Sequence, residues 1–313
     1  MDALASLLHG PRAHGAFLMR VVLDPPWGVR VEDQAPVTLL TPARGHAWVI
    51  PTTGDAVRLE AGEVAVVRGP EPYMVADDPA TPPQAVITPG GCAVTPQGRE
   101  ELCEALDLGL RTWGSRPGAA AELLVGTYQM PGEVSAGLLR ALPPLLVSRQ
   151  ADPAVTGLLS AEIERDEPGQ ETVLDRLLDL LLISVLRGWF AEKEENAPAW
   201  YRALGDPVVG QALRLLHDHP AHPWTVASLA AKAGVSRAAL AKRFAALVGQ
   251  PPMAYLTAWR LELAARMLRE TNLPLEAVAR RVGYGSAFAL SAAFKRERGV
   301  SPRDHRRLGP PAS

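Results

Sequence analysis

One small unit is written twice near the carboxyl end of this chain, and the repetition limits what that part can become. The first copy runs Leu229-Ala-Ala-Lys-Ala-Gly-Val-Ser-Arg-Ala-Ala-Leu-Ala-Lys-Arg-Phe244, and the second runs from Val278 to Phe294. Each is a short apolar helical run broken by a glycine (Gly234, Gly283), then a serine (Ser236, Ser286), then a second helical run. Apolar anchors stand four and eight residues beyond each serine: Leu240 and Phe244, Leu290 and Phe294. Glycine tolerates the positive φ needed to turn sharply out of a helix. Serine supplies the oxygen that satisfies orphan amides at the next helix start. A spacing of four holds the anchors on one face and leaves the other free. That is how a helix-turn-helix presents a recognition helix to the major groove of DNA. Helical hairpins of an α-solenoid carry similar local signals, but two copies in a basic surround favour DNA.

The basic surround is visible in the charge. The 313 residues carry a net charge of −2, yet from Gly205 to Ser313 there are 16 Lys+Arg against 7 Asp+Glu. That segment is +9, and the remainder, with 16 Lys+Arg and 27 Asp+Glu, is −11. An acidic body joined to a basic tail suits a polyanion-binding module attached to something that need not touch DNA. The length predicts about two domains. The most apolar stretch, Leu177 to Phe190, is interrupted by Asp179 and Arg187, so no membrane span is expected. The first ten residues lack the basic start of a signal peptide, which makes the cytoplasm the default location. Cys92 and Cys103 are too few for a disulfide scaffold.

Residues 1–131 read as β-rich. Runs at Gly15–Leu23, His46–Ile50, Ala56–Leu59, Val64–Val67, Gln84–Ile87 and Leu123–Tyr128 are separated by Pro, Gly and Asp. Such a pattern favours a small barrel or jelly roll, whose interior is the natural place for a ligand. Arg99–Leu110 has helical spacing, with Cys103 between Leu102 and Leu106. The two cysteines read as small core residues. A thiol switch stays open if the loop folds back far enough for a disulfide, as does metal binding or covalent capture of a ligand. From 132 to 197 the character is helical. Ser135–Leu142 stops at Pro143-Pro144, a helix begins at Asp152-Pro153, and a third spans Gln170–Phe190. The third is apolar around most of its girth, with Val173, Leu177, Leu180, Leu181 and Ser184 as one stripe and Leu178, Leu182, Val185 and Trp189 widening it. It must bury itself in its own domain or against a second subunit, so a homodimer is expected. Glu192–Pro198 is a polar linker, and the tail occupies 205–308.

Gly45-His-Ala-Trp-Val, the Leu59-Glu-Ala-Gly-Glu turn and Arg68-Gly-Pro-Glu-Pro-Tyr73 resemble the cupin barrel of bacterial regulators. Catalytic cupins hold a metal with histidines, and at the matching places this chain carries Leu40 and Tyr73. His46 alone cannot make a three- or four-ligand site. The resemblance therefore implies no metal, no cofactor and no catalytic residue. An enzymatic cupin with an accessory DNA-binding tail is the alternative.

The tail itself is similar to the AraC/XylS family of transcription regulators. The marks are Tyr255-Leu…Arg260-Leu…Ala264 in a linker helix and Phe294-Lys-Arg…Gly299-Val-Ser-Pro at the end. The resemblance implies a multi-domain α+β chain: a cupin-like sensor barrel, a helical dimerisation segment, and an all-α domain with two helix-turn-helix units entering successive major grooves. It implies double-stranded DNA as partner, RNA polymerase as a further partner of an activator, and a small-molecule effector or oxidant as signal. Some cupin-type members sense oxidants through cysteines. By position, Ser236, Arg237, Ala238, Ala241 and Lys242 face DNA, with Arg243 nearer the phosphate backbone. In the second unit Ala287, Phe288, Ala289, Ala292 and Ser291 face outward, a set suited to thymine methyls rather than bidentate pairing. Ser286, Lys295 and Arg296 are expected to bind phosphates.

Overall fold

The computed structural model describes residues 13, 17–98, 100–129, 138–139, 142–149, 151–192 and 199–307. The amino-terminal stretch, Arg99, most of the expected helix 135–142 and the linker residues 193–198 lie outside them. The chain divides into two compact units, one over 11–195 and one containing 196–313.

In the first unit, twelve strands among the described residues form two six-stranded sheets. One contains β1 (Phe17–Leu23), β3 (Val37–Arg44), β6 (Val64–Arg68), β10 (Thr112–Gly114), β11 (Ala121–Tyr128) and β12 (Leu145–Ser148), in the order β10-β1-β11-β3-β6-β12. The other contains β2 (Gly28–Val31), β4 (His46–Pro51), β5 (Val57–Glu60), β7 (Tyr73–Ala76), β8 (Ala85–Ile87) and β9 (Ala93–Val94), in the order β5-β4-β7-β2-β8-β9. This is the cupin-like domain, built as two facing sheets that do not close on each other. Val21, Leu40, Val67 and Leu123 from the first sheet share one core with Val49, Leu59, Tyr73 and Val75 from the second.

Two local expectations differ from the structure, and one strand falls outside the runs read as β. Strand β3 carries Pro42, which demotes a strand when only the sequence is considered. Here a register shift in the pairing with β11, between Glu122 and Leu123, absorbs it. Residues 100–110 are not a helix. Val94 bridges Glu101, and the amides of Leu102 and Thr95 bond the carbonyls of Ala93 and Glu100, so edge pairing overrides the helical spacing. Within the stretch expected to be helical, Leu145–Ser148 is a strand paired antiparallel to β6.

The greasy helix forms as α2 (Gln170–Glu192), after α1 (Pro153–Ile163), whose Asp152 cap accepts from the Ala154 amide. The stripe it buries is Leu174, Leu178, Leu181, Leu182, Val185 and Leu186, while Val173 and Leu180 face outward. Leu178 comes so close to β11 that a β-carbon on Gly126 would stand 2.4 Å from its Cδ1. The Tyr128 hydroxyl and Arg176 Nη1 both donate to the Asp179 carboxylate, at 3.0 and 2.9 Å. Burial raises the pKa of Asp179, with these hydrogen bonds opposing it.

The second unit is helical: α3 (Ala199–Arg202), α4 (Val209–Asp218), α5 (Val226–Lys232), α6 (Arg237–Val248), α7 (Pro252–Glu270), α8 (Leu275–Val282), α9 (Ala287–Arg298) and α10 (Pro302–Arg307). Two cores form. Leu213, Leu229, Leu240, Phe244 and Leu256 make one; Leu261, Leu268, Val278, Leu290 and Phe294 make the other. The long α7 contributes to both and so joins the repeated units.

Candidate functional site

Each repeated unit folds as its local signals require. Gly234 (φ 69) and Gly283 (φ 85) take the left-handed conformation that turns the chain. Ser236 Oγ accepts from the Ala239 amide at 3.1 Å to start α6, and Ser286 Oγ accepts from the Ala289 amide at 3.2 Å to start α9. Thr225 and Ser228 form a reciprocal capping box at the start of α5, a signal the sequence reading left unused.

Burial of Leu240, Phe244 and Val248 turns the opposite side of α6 outward. Ala238 and Lys242 are exposed there, Ser236 and Arg237 are exposed at the helix start, Arg243 is exposed on the flank, and Ala241 is half-buried. Arg243 is engaged within the protein: its Nε and Nη2 donate to Asp206 Oδ2 at 2.8 and 2.6 Å. Asp206 Oδ1 meanwhile accepts from the amides of Val208 and Val209 ahead of α4. Burial works against this carboxylate, but the Val209 amide and Arg243 outweigh it and hold its pKa below the ordinary value.

On α9 the outward side is apolar at its start. Phe288 is 84% exposed, Ala289 and Ala292 are exposed, and Ala287 and Ser291 are half-buried. The expected phosphate group of Ser286, Lys295 and Arg296 is spread out. The two cations are exposed nine and ten residues beyond the serine, about 14–15 Å along the helix at 1.5 Å per residue. The helix start also holds a carboxylate already, since the Ala287 amide donates to Glu276 Oε2 at 3.0 Å.

Several basic residues of the tail serve as internal ties. Arg260 on α7 donates to the carbonyls of Pro220 and His222 at 2.7 and 2.8 Å. Arg298 pairs with Glu262 and stacks over Phe294. Arg306 donates to the carbonyls of Leu268 and Leu273 at 3.3 and 2.5 Å. His217 is buried, bonded through Nε2 to the Tyr255 hydroxyl at 2.7 Å, and burial lowers its pKa to about 4.

The first unit contains a cavity of about 330 Å³ between its two sheets. Leu40 and Tyr73, at the positions matching cupin metal ligands, stand in its wall, as does Cys103. His46 instead places Nε2 3.2 Å from the Asp77 carbonyl oxygen. The structure brings the cysteines together, with Cys92 Sγ 2.8 Å from Cys103 Sγ. Cys103 Sγ also accepts from the Ala93 amide at 3.1 Å. The hydrogen bond with Cys103 pushes the Cys92 thiol up to about 11.

A paired helix-turn-helix tail on a cupin-like domain defines a DNA-binding regulator. Residues 2–191 match the cupin family and residues 229–308 match the helix-turn-helix domain family. Two putative AraC-like transcription regulators are similar over nearly the full length of both partners. The one from Streptomyces antibioticus is 34% identical over 98% of this chain and 99% of its own. The one from Streptomyces lividans is 33% identical over 98% of each. Among solved structures, the DNA-binding domain of AdpA in complex with a target DNA is 32% identical over 33% of this chain and 92% of its own, with a TM-score of 0.32. The chain belongs to the AraC-like transcription regulators.

Proposed function

We propose that this regulator reads a specific DNA sequence mainly through α6 and uses α9 for apolar contact, under control of a signal received by the cupin-like unit. The observation that carries the reading is the division of α6. Leu240 and Phe244 are buried, Lys242 is exposed on the opposite side of the same helix, and Arg237 is exposed at its first position. Arg237 and Lys242 are the groups able to hydrogen-bond guanine edges, with Ser236, Ala238 and Ala241 beside them. Arg243 reaches a phosphate only by loosening its hold on Asp206. Phe288, Ala287 and Ser291 offer contact to thymine methyls, and Ser286, Lys295 and Arg296 lie along the flanks as phosphate partners.

The signal is a small molecule in the cavity or an oxidant acting on Cys92 and Cys103. The outward Val173 and Leu180 of α2 support a homodimer seam, which would set two tails on paired half-sites in the manner of a cytoplasmic activator contacting RNA polymerase. Leu40 and Tyr73 in place of histidines support a sensing rather than catalytic cupin.

The test is gel-shift binding to fragments selected from genomic DNA by the protein. Tight binding to a recurrent sequence that weakens steeply with salt, and is lost on Arg237→Ala, supports the reading. Binding indifferent to sequence and salt sinks it.

A further inference from the structure

The cavity has a definite shape and chemistry. Trp27, Val29, Val31 and Asp33, alternate residues along β2 and just beyond its ends, all line it. The six residue steps from Trp27 to Asp33 run about 20 Å in extended chain, so the lining is drawn out along that distance. Most of the wall is apolar, with the aliphatic Met19, Val21, Leu40, Ile87, Leu123 and Val125 beside the rings of Trp27, Tyr73 and Trp113. A slot of 330 Å³ drawn out over that distance admits a chain-like molecule better than a fused ring system. Charged groups are few. Asp33 and Asp107 line the slot against a single guanidinium, Arg111, whose Nε donates to Gln170 Oε1 at 3.3 Å. Burial already raises the pKa of Asp33, so a further negative charge would be poorly tolerated there.

One thiol of the pair, that of Cys103, stands in the same wall, with Cys92 beside it. Val94 pairs with Glu101, and the bonds from the Leu102 amide to Ala93 and from the Thr95 amide to Glu100 bracket that pair. The ladder ends there, since the Ala93 amide donates to Cys103 Sγ and the Leu102 carbonyl accepts from the Leu106 amide, and just beyond it Cys92 Sγ stands 2.8 Å from Cys103 Sγ. Sulfurs this close need to approach by less than about 1 Å to reach the bond length of a disulfide, about 2.05 Å.

We propose that the slot binds a neutral, chain-like aliphatic molecule, and that Cys92 and Cys103 link its occupancy to their oxidation. This rests on the reading that the cupin-like unit receives the signal. In the oxidation, Cys103 as thiolate attacks one sulfur of a disulfide oxidant such as glutathione disulfide, releasing one glutathione thiolate. Cys92 sulfur then displaces the second, so two electrons pass to glutathione and the two thiol protons end on its thiols or in water. The new bond ties residue 92 to residue 103 and removes the Cys103 S–H group from an apolar wall. Less ordering is then left for the ligand to impose, so the oxidised protein binds more tightly. By reciprocity the ligand favours the disulfide by the same factor.

The test uses the full chain with 1-decanol and decanoate as probes, titrated calorimetrically against reduced and oxidised protein. Decanol is expected to bind, decanoate at least about tenfold more weakly, and oxidation to tighten decanol about fivefold or more. Decanol should shift the thiol–disulfide equilibrium in a glutathione buffer by that same factor. A Cys92→Ser, Cys103→Ser variant should bind decanol like the reduced protein, whatever the buffer. Equal affinity in both oxidation states, a preference for decanoate, or no binding of decanol overturns the proposal. A gel shift on the same preparations separates the two readings. Loss of specific DNA binding with the linkage intact counts against the regulator reading alone.

Discussion

Gly283 leaves room for Arg260: a β-carbon on the glycine would stand 2.8 Å from the arginine Nη2 and 2.8 Å from the Cα of Ala221. The turn of the second unit thus packs directly on the loop that precedes the first, and Arg260 fastens that loop through the carbonyls of Pro220 and His222. One guanidinium on the joining helix holds both repeated units in a fixed relation.

Arg260→Gln should therefore leave two carbonyls without their partner and cost about 1–3 kcal/mol. Gly283→Ala, at φ 85 and against backbone atoms, should cost more. Thermal unfolding of the full chain checks both. Unchanged transitions in both variants would mean that the contact carries no weight.

Arg237 and Lys242 are exposed, so replacing either by Ala should change stability by less than about 0.5 kcal/mol. The effect belongs in DNA binding. An arginine reading a guanine is worth about 1–3 kcal/mol at that base pair, whereas a phosphate-contacting lysine lowers the salt slope by about one. Salt titrations on matched and single-base-altered sites tell the two roles apart.

Phe288 is 84% exposed in the free protein, a poor place for a phenyl ring unless something covers it. Phe288→Ala should leave the thermal transition in place and weaken binding to the selected DNA by several-fold. If the ring meets a thymine methyl, replacing that thymine by uracil should weaken the unaltered protein and leave the variant indifferent. An equal loss in both would remove Phe288 from the interface.

His217 gives a pH signature. Its folded pKa is lowered to about 4 from the model-compound 6.5 by burial. Below about 6.5 the unfolded chain takes up a proton that the folded state refuses. The contribution is complete above that pH, declines as pH falls toward 4, and changes no further below it. His305 is shifted in the same sense, by burial first and then by Arg269 and Arg298. His217→Phe should flatten the stability profile between pH 7 and pH 4 by roughly 2–3 kcal/mol relative to the unaltered protein. Parallel profiles would show that the ring is not held neutral.

Much of the tail was legible in its residues. The glycine turns, the two serine caps and the buried anchors Leu240, Phe244, Leu290 and Phe294 all stand where the spacing places them. The sheet-rich half was legible in class but not in detail. Strand β3 falls outside the runs read as β, and edge pairing turned the apparent helix after residue 99 into a hairpin return. On α2 the greasy circumference was plain, but its buried face was set by the approach of Leu178 to Gly126.

From the order of residues alone came the second helix of each helix-turn-helix unit, its cap and which face of it is buried. Those depend on contacts within a few residues, where a period of 3.6 leaves little choice. Only the tertiary structure decided which cations remain free, because Arg243 meets Asp206 and Arg298 meets Glu262 at separations of 37 and 36 positions in the chain. It also decided that Cys103 stands in the cavity wall with Cys92 beside it. Partners so distant in sequence leave no periodic trace, since packing and hydrogen bonding between separate elements choose them.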